Sequence, residues 1–454
     1  MQVFFSSQDG GDRLRACVNE TLDEALAVGA SRPVDVHVMT FSFTDGRIAT
    51  ALADAAARHP NVTIRIIADW AQGSGGAGRQ ARGLVKAGLP NLLVRFTKDQ
   101  PYRWDAATGR MRWSYRTSRG LLHHKTLSIR IAGEPWTLVC GSFNWTARAA
   151  DSYENVLIVS AGRDGPELLQ AVECEFHAMW CDGRLTLSTD EARTHYFRIL
   201  EEYRRDPLRP PVSIVGLPAG RDTTIGSAPD IGDRGPASHP HLATGGSTME
   251  GATRLAIAFS SRPSEEMTGT RGYSPWNRSR RFLLHKPSGR LKEVPLTITA
   301  LALDVIGRAV RGDTLDVAMY ALSARVPEYG ALLDAARRGV RIRILLDRQI
   351  GGAVIAQLTA LLAREDLPIE VRAGSRMMHQ KYIVHPRCHT VLTGTANMTT
   401  DASGRHAEQR ILIRDDPGLT ARFLRDFETI WMRLPPGGPA HAGVPAVRHV
   451  EPLG

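Results

Sequence analysis

The sequence predicts an α/β protein built as two tandem α/β/α sandwich domains with mixed sheets, related by a pseudo-twofold axis. Three observations predict it. Apolar segments of strand length alternate with segments of helical spacing along most of the chain. Their order in the first half returns in the second, with a period of about 256 residues. One polar pattern also occurs twice: His-x-Lys, then Gly-[Ser/Thr]-x-Asn-x-Thr, then Glu.

In chain order, Gln2 to Ser7 reads as a short strand. Arg13 to Val28 places Leu14, Cys17, Val18, Leu22, Ala25 and Leu26 at helical spacing. Val34 to Phe43 reads as a strand. Gly46 to Arg58 is an alanine-rich helix stopped by His59-Pro60-Asn61. Val62 to Asp69 is a buried strand. A glycine-rich loop (Gly73 to Gly78), a helix through Lys86 and a strand from Leu92 to Phe96 follow. Leu121 to Ile131 and Trp136 to Cys140 are strands, as is Asn155 to Ser160, and Pro166 to Trp180 is a helix. In the second half, Leu255 to Ser261 repeats the opening strand, Phe-Ser-Ser included. Leu315 to Ser323 matches Val34 to Ser42, Tyr329 to Arg338 is the next helix, and Val340 to Asp347 matches Val62 to Asp69. Phe427 to Trp431 matches Phe176 to Trp180. The domains are expected at 1–206 and 253–434. A Pro/Gly/Ser-rich linker at 207–252, an insertion at 265–295 and a flexible tail at 435–454 complete the chain.

A formal net charge of +10 favours a polyanionic partner, nucleic acid or an anionic membrane surface. No run approaches eighteen apolar residues, so no transmembrane helix is expected. Met1 to Asp9 lacks a basic n-region, so no signal peptide is expected. The five cysteines are scattered and form no Cys-x-x-Cys pair, which excludes a zinc-ribbon or disulfide framework. The cytoplasm is the expected compartment.

The first copy of the pattern holds His123, Lys125, Ser142, Asn144 and Glu154; the second holds His379, Lys381, Thr395, Asn397 and Glu408. The His-to-Asn spacing is 21 and 18 residues, and the His-to-Glu spacing 31 and 29. Only six of the 57 basic residues are lysines, yet both His-x-Lys positions use one. A lysine is a compact charge with rotatable donors, suited to a tight phosphate pocket where a planar guanidinium is not. On a strand, residues i and i+2 share a face, which puts His123 with Lys125 and His379 with Lys381. An imidazole beside an ammonium suits phosphate chemistry. The asparagines add amide donors after a Gly-[Ser/Thr] turn. The glutamates offer a carboxylate to the second imidazole nitrogen, fixing tautomer and orientation. Two such sets facing each other would make one site, so one chain suffices for it.

These paired motifs resemble the phospholipase D superfamily, whose signature is His-x-Lys-x(4)-Asp followed by Gly-[Ser/Gly/Thr]-x-Asn. The resemblance covers roughly residues 1–200 and 253–433, with a nuclease-like first motif. It implies two phospholipase D-like domains and phosphodiester chemistry without a metal or other cofactor. One histidine attacks phosphorus to form a phosphohistidine; the other protonates the leaving alcohol and then activates water or an alcohol. By that analogy His123 is the nucleophile and His379 the acid/base. The lysines and asparagines bind phosphoryl oxygens. The chain departs from the signature at its Asp: Arg130 and Pro386 stand there. That Asp is usually structural in the family, so the core chemistry is expected to survive its loss.

Two further stretches are candidates for substrate binding. Trp104, Arg112, Trp113 and Arg116 interleave aromatics with arginines just before the first motif, and could stack bases at the site's rim. An ordinary exposed hairpin is the structural reading. Arg280 lies in the 265–295 insertion, which could be a phosphate-tracking arm or a solvated loop. Asp69 and Asp347 end equivalent strands, where they line the cleft or cap helices. The expected function is a nuclease of the superfamily; the alternatives are a phospholipase D or phosphatidyltransferase, and a nucleic-acid-binding protein with a silenced site. Turnover is expected to persist in EDTA, since the mechanism calls on no metal. Loss of turnover in the chelator, restored by added divalent ions, would overturn it.

Overall fold

The computed structural model describes residues 1–73, 78–97, 102–105, 108–113, 121–181, 186–188, 243–244, 255–260, 279–285, 290–293, 297–404 and 406–435, with isolated positions between 191 and 206. The strands of the first half are β1 (Gln2–Phe5), β2 (Val34–Thr40), β3 (Val62–Ala68), β4 (Leu92–Thr97), β5 (Tyr102–Asp105), β6 (Arg110–Trp113), β7 (Lys125–Ile131), β8 (Glu134–Gly141), β9 (Asn155–Ser160) and β10 (Thr186–Leu187). Its helices are α1 (Gly11–Val28), α2 (Gly46–Arg58), α3 (Arg79–Lys86), α4 (Ala161–Asp164) and α5 (Glu167–Cys181). The second half carries β11 (Ala243–Thr244), β12 (Leu255–Ser260), β13 (Ser279–His285), β14 (Arg290–Glu293), β15 (Thr314–Met319), β16 (Arg341–Asp347), β17 (Ile369–Gly374), β18 (Lys381–His385), β19 (Thr390–Gly394) and β20 (Glu408–Ile413). Its helices are α6 (Ile298–Gly307), α7 (Pro327–Arg337), α8 (Arg348–Leu362), α9 (Thr400–Gly404) and α10 (Pro417–Arg433).

Each half builds one mixed sheet. The first runs β1-β9-β8-β7-β2-β3-β4-β10 and the second β11-β14-β13-β12-β20-β19-β18-β15-β16-β17. Seven strands of one order match seven of the other, from β1 against β12 to β4 against β17. β2, β3 and β4 are parallel, as are β15, β16 and β17, and β7, β8 and β9 return antiparallel. This is the α/β fold with mixed sheets that the sequence predicts.

Helices α5 and α10 lie in a core shared by both halves. Phe176, Phe259, Tyr382, Phe423 and Phe427 are fully or almost fully buried in one apolar cluster with Phe5 and Leu157. α5 packs on β2 and β8 of its own sheet and on β12 and β13 of the other. Burial of large aromatic side chains is worth about 1.5–3 kcal/mol each, so the two halves are joined by a hydrophobic core rather than by a polar contact. The other face of each sheet is closed by its own helices, α1, α2 and α3 on the first and α6, α7 and α8 on the second.

Several sequence expectations change in detail. The strand expected from Leu121 starts at Lys125, because Leu122 instead bridges the other half. His123 therefore precedes its strand, as His379 precedes β18, and the shared-face argument applies to neither. The match of Leu315–Ser323 to Val34–Ser42 is two residues out. Thr40 pairs with Lys125 and Met319 with Lys381, so Phe41 corresponds to Tyr320 and His37 to Asp316. The apolar letters tolerate either register, but hydrogen bonding to the lysine strand does not. The 265–295 insertion is not simply a loop: its residues 279–285 and 290–293 form β13 and β14 on the edge of β12, whereas among the described residues β1 is the edge of the first sheet. Tyr102–Trp113 contains a two-stranded hairpin, β5 with β6. The linker outside 243–244 and the tail beyond 435 lie outside the described residues.

The loop after β8 and the loop after β19 each open on a glycine at positive φ, +147° at Gly141 and +145° at Gly394. A Cβ there would lie 2.4 Å from Asn155 O or 2.2 Å from Gln409 O, both backbone atoms that cannot swing aside. Gly394→Ala should therefore lower unfolding free energy by at least ~2 kcal/mol. Gly352→Ala, in exposed α8 with open space at the Cβ, should raise it by about 0.5–1 kcal/mol. Chemical denaturation of both variants measures the contrast; equal effects would overturn the assignment.

Candidate active site

The two motifs converge because the halves exchange backbone hydrogen bonds. His123 N donates to Ala407 O (2.9 Å) and Ala407 N to Leu121 O (2.8 Å). In the mirror exchange, His379 N donates to Tyr153 O (3.0 Å) and Tyr153 N to Met377 O (2.8 Å). Each bridge joins the residues before a motif histidine to the residues before the other half's glutamate. The side chains cross with them. His123 Nδ1 lies 2.8 Å from Glu408 Oε2, and His379 Nδ1 lies 2.8 Å from Glu154 Oε1. The chain writes His123 with Glu154 and His379 with Glu408, but the fold trades the glutamates.

With each Nδ1 turned to a carboxylate, Nε2 is the nitrogen left for the cleft. The two imidazoles face each other with centroids 6.4 Å apart and planes at 77°. Behind them sit the lysines. Lys125 Nζ donates to His123 O and Lys381 Nζ to His379 O, both at 2.7 Å. Phe41 and Tyr320 hold matching places: their ring centroids lie 5.0 and 4.9 Å from those of His123 and His379, and 5.4 and 5.2 Å from the lysine nitrogens. Asn144 and Asn397 are half-buried beside this group. Asn397 Oδ1 accepts from Ala321 N at 3.3 Å, whereas Asn144 Oδ1 is buried with no hydrogen-bond partner among the described residues.

Ser142 and Thr395 do not stand where the sequence reading put them, as substrate ligands. Both are fully buried. Ser142 Oγ donates to Glu154 Oε2 (2.6 Å) and accepts from Asn155 N (2.9 Å); Thr395 Oγ1 accepts from Gln409 N (2.9 Å). A hydroxyl behind the carboxylate orients the group that orients the histidine. Trp104, Arg112 and Trp113 lie on β5 and β6 and Arg280 on β13 beside Phe259, but their side chains are outside the described residues, as is Arg116 altogether.

Sequence reasoning left Asp69 and Asp347 between cleft and cap. Asp69 Oδ2 accepts from Leu122 N (2.8 Å) and Asp347 Oδ2 from Met378 N (3.1 Å), so each pins the residue before a motif histidine. Asp347 also caps α8. Their repetition at matching strand ends was the available signal. Phe41 and Tyr320 were missed, because apolar letters after a strand read as core.

Burial sets the electrostatics. Burial, then the lysine charges, holds both imidazoles well below their usual range. Burial brings Lys125 down to about 7, aided by Lys381, and Lys381 itself to about 8. Burial also lifts Glu154 to about 8 and Glu408 to about 7. The arrangement can hold an anion between two ammoniums while two imidazoles exchange protons with it.

Away from this site, His37, Glu173 and His177 bring ligand-type atoms within 4.8 Å of one another. Arg65 approaches His37 Nε2 at 3.3 Å, which leaves the proton on Nδ1 facing Glu173 at 2.8 Å. Arg130, in the place of the signature Asp, lies 4.0 Å from Glu173. The second half has Asp316, Arg343 and Glu428 in ion-paired contact at the matching position. The cluster fits a helix-to-sheet polar network better than a metal site, because Arg65 already occupies His37 Nε2 and Arg130 stands 4.0 Å from the one carboxylate.

A family model described as cardiolipin synthase, PLD-like domain, matches residues 29–180 and 303–431. Human mitochondrial cardiolipin hydrolase is 28% identical over 163 residues, 34% of this chain and 63% of that protein. A protein named phospholipase D from Rickettsia prowazekii (strain Madrid E) is 40% identical over 86 residues, 19% of this chain and 40% of that one. The match thus spans less than two thirds of these relatives. The solved phosphatidylserine synthase of Haemophilus influenzae Rd KW20 shares the fold, with TM-score 0.53 and 11% identity over 96% of this chain and 87% of that one.

In the free protein Lys125 loses its proton as pH rises through about 7, and Lys381 through about 8. Phosphate binding then loses its positive charge, so kcat/KM for a phosphodiester should fall across that range. Lys125→Arg should lower the plateau but delay the fall to near pH 8, since a guanidinium stays charged. A fall that stays at pH 7 in the variant would assign it to another group.

Proposed function

The chain belongs to the family described as cardiolipin synthase, PLD-like domain, part of the phospholipase D superfamily, and from that premise we propose that it is a phosphodiesterase working through a phosphohistidine. The observation that carries this reading is the crossed pair of His–Glu contacts facing two buried lysines. In the proposed reaction the His123 Nε2 lone pair forms an N–P bond while the P–O bond to the leaving group breaks. That oxygen takes a proton from His379. Water or an alcohol then gives a proton to His379, its oxygen attacks phosphorus, and the N–P bond breaks to release His123.

His379 must carry an extra proton for the first step, yet its surroundings oppose one. The raised Glu154 carboxyl, 2.8 Å from Nδ1, can hold that proton until an anion arrives. A phosphodiester between Lys125 and Lys381 then offsets the positive charge and lets the imidazolium form. Lys125, Lys381, Asn144 and Asn397 are proposed to bind the phosphoryl oxygens, which is electrostatic stabilisation set up before the substrate enters.

Nucleic acid is the proposed substrate. The net charge of +10 supports it. So does the surface: among the described residues the exposed large apolar side chains are Val28, Leu93, Val310, Ile350, Met377 and Met432, set on different segments of the chain. A phospholipid substrate is the second reading, favoured by relatives whose names are cardiolipin hydrolase and phospholipase D.

Single- and double-stranded DNA, RNA and cardiolipin-containing vesicles, each incubated with the protein in EDTA, separate the two. Nucleic-acid cleavage alone supports the first reading and lipid turnover alone the second. His123→Ala and His379→Ala should each lower turnover at least ~10³-fold. Turnover of nothing by the native protein leaves the silenced binding protein; near-normal activity of either variant ends the shared-site mechanism.

A further inference from the structure

Around the site the halves match group for group: His against His, Lys against Lys, Glu against Glu. Three titratable residues break the match: His124 stands against Gln380, Tyr320 against Phe41, and His406 against Ser152. Ser6 Oγ donates to Ser152 O (2.6 Å) and accepts from Glu154 N (2.9 Å). Ser260 Oγ donates to His406 O (2.8 Å) and accepts from Glu408 N (3.1 Å). Ser152 and His406 thus occupy the same place, two residues before the glutamate, and only the second is an imidazole.

That imidazole stands beside one motif histidine and not the other. Its ring centroid is 6.4 Å from that of His123, as close as His379 is. His406 Nδ1 accepts the N–H of Leu121 at 3.0 Å. A backbone amide only donates, so Nδ1 is unprotonated there and the neutral ring carries its proton on Nε2, the positive end of its dipole. The same hydrogen bond ties the ring to the chain two residues before His123.

A twofold site has a difficulty that this asymmetry answers. One histidine must be free of its second proton to attack while the other holds one to give away. Identical surroundings would divide those states equally. His123 faces Lys125, Lys381, Glu408, His406 and His379; His379 faces Lys381, Lys125, Glu154, Tyr320 and His123. Burial holds His124 neutral, down to about 3, and raises Tyr320 so that it keeps its proton, which leaves His406 as the unmatched group beside the His123 ring. Resting on the phosphohistidine reading, we infer that His406 is a positioning residue that keeps His123 as the unprotonated nucleophile and leaves His379 as the proton donor. Its positive N–H end disfavours a second proton on the neighbouring imidazole and has no such effect near Ser152. The burial and charge that depress His123 include a contribution from His406, in the same direction. A preference of 1.4 kcal/mol corresponds to about tenfold in favour of one arrangement.

The test is rapid-quench trapping with bis(4-nitrophenyl) phosphate, with the phosphorus-bearing histidine mapped by mass spectrometry. The native protein should carry its adduct on His123. His406→Ser, which makes the halves alike at this position, should spread the adduct over His123 and His379. It should also move the acid limb of kcat/KM to higher pH by roughly 0.5–1, because His123 then holds its proton longer. His406→Asn keeps an acceptor for Leu121 N–H and so guards against loss of local structure. It should redistribute the adduct in the same way, showing that the ring decides. The double variant Ser152→His with His406→Ser should move the adduct to His379. A native adduct on His379, or an unchanged distribution and acid limb in both His406 variants, overturns the inference. Turnover with no adduct on either histidine in any form overturns the phosphohistidine reading itself, and this inference with it.

Discussion

Two reciprocal backbone bridges, Leu122 with Ala407 and Tyr153 with Met378, are the constraint on which the site depends. Neither half can assemble it alone. Each histidine takes its orienting carboxylate from across the interface, and each bridge is anchored by an aspartate at the end of a strand, Asp69 or Asp347. The aromatic core of α5 and α10 beneath the bridges supplies the stability that the polar exchange itself does not, since hydrogen bonds add about 0.5–1.5 kcal/mol each. The duplicated fold thus turns two half-sites into one.

The cost of the arrangement is electrostatic. Two lysines, two glutamates and two histidines are all more than nine-tenths buried. Taking such groups from water is unfavourable, and the protein answers by shifting proton affinities: lysines downward, carboxyls upward, imidazoles downward. A site of this kind is poised for an incoming anion, whose charge restores what burial opposes. In the proposed reaction, stability held back in the free site becomes selectivity for a phosphoryl group.

The histidines, lysines and glutamates of the site are duplicated, and the halves differ around them. The first half meets α5 with His37 and Glu173, the second meets α10 with Asp316, Arg343 and Glu428. The signature Asp is absent from both halves, and Arg130 stands near the first of these networks. Three strands, β13, β14 and β11, extend the second sheet beyond β12 and have no counterpart among the described residues of the first. None of these differences touches the bridges.

Much of this was legible in the chain. Alternation of strand and helix patterns marked the fold class, and Asn155–Ser160 and Gly46–Arg58 came out at their true limits. The repeated His, Lys, Asn and Glu marked one site made of two sets. What the sequence alone determined is which residue types recur and in what order, because local periodicity and repetition are properties of the chain. It could not say which glutamate serves which histidine, that Phe41 corresponds to Tyr320, or that Ser142 and Thr395 stand behind the carboxylates. Those follow from contacts between residues up to 285 positions apart, such as His123 and Glu408. Tertiary structure alone decides them, because hydrogen-bond register across an interface depends on where two sheets dock and leaves no period in either half.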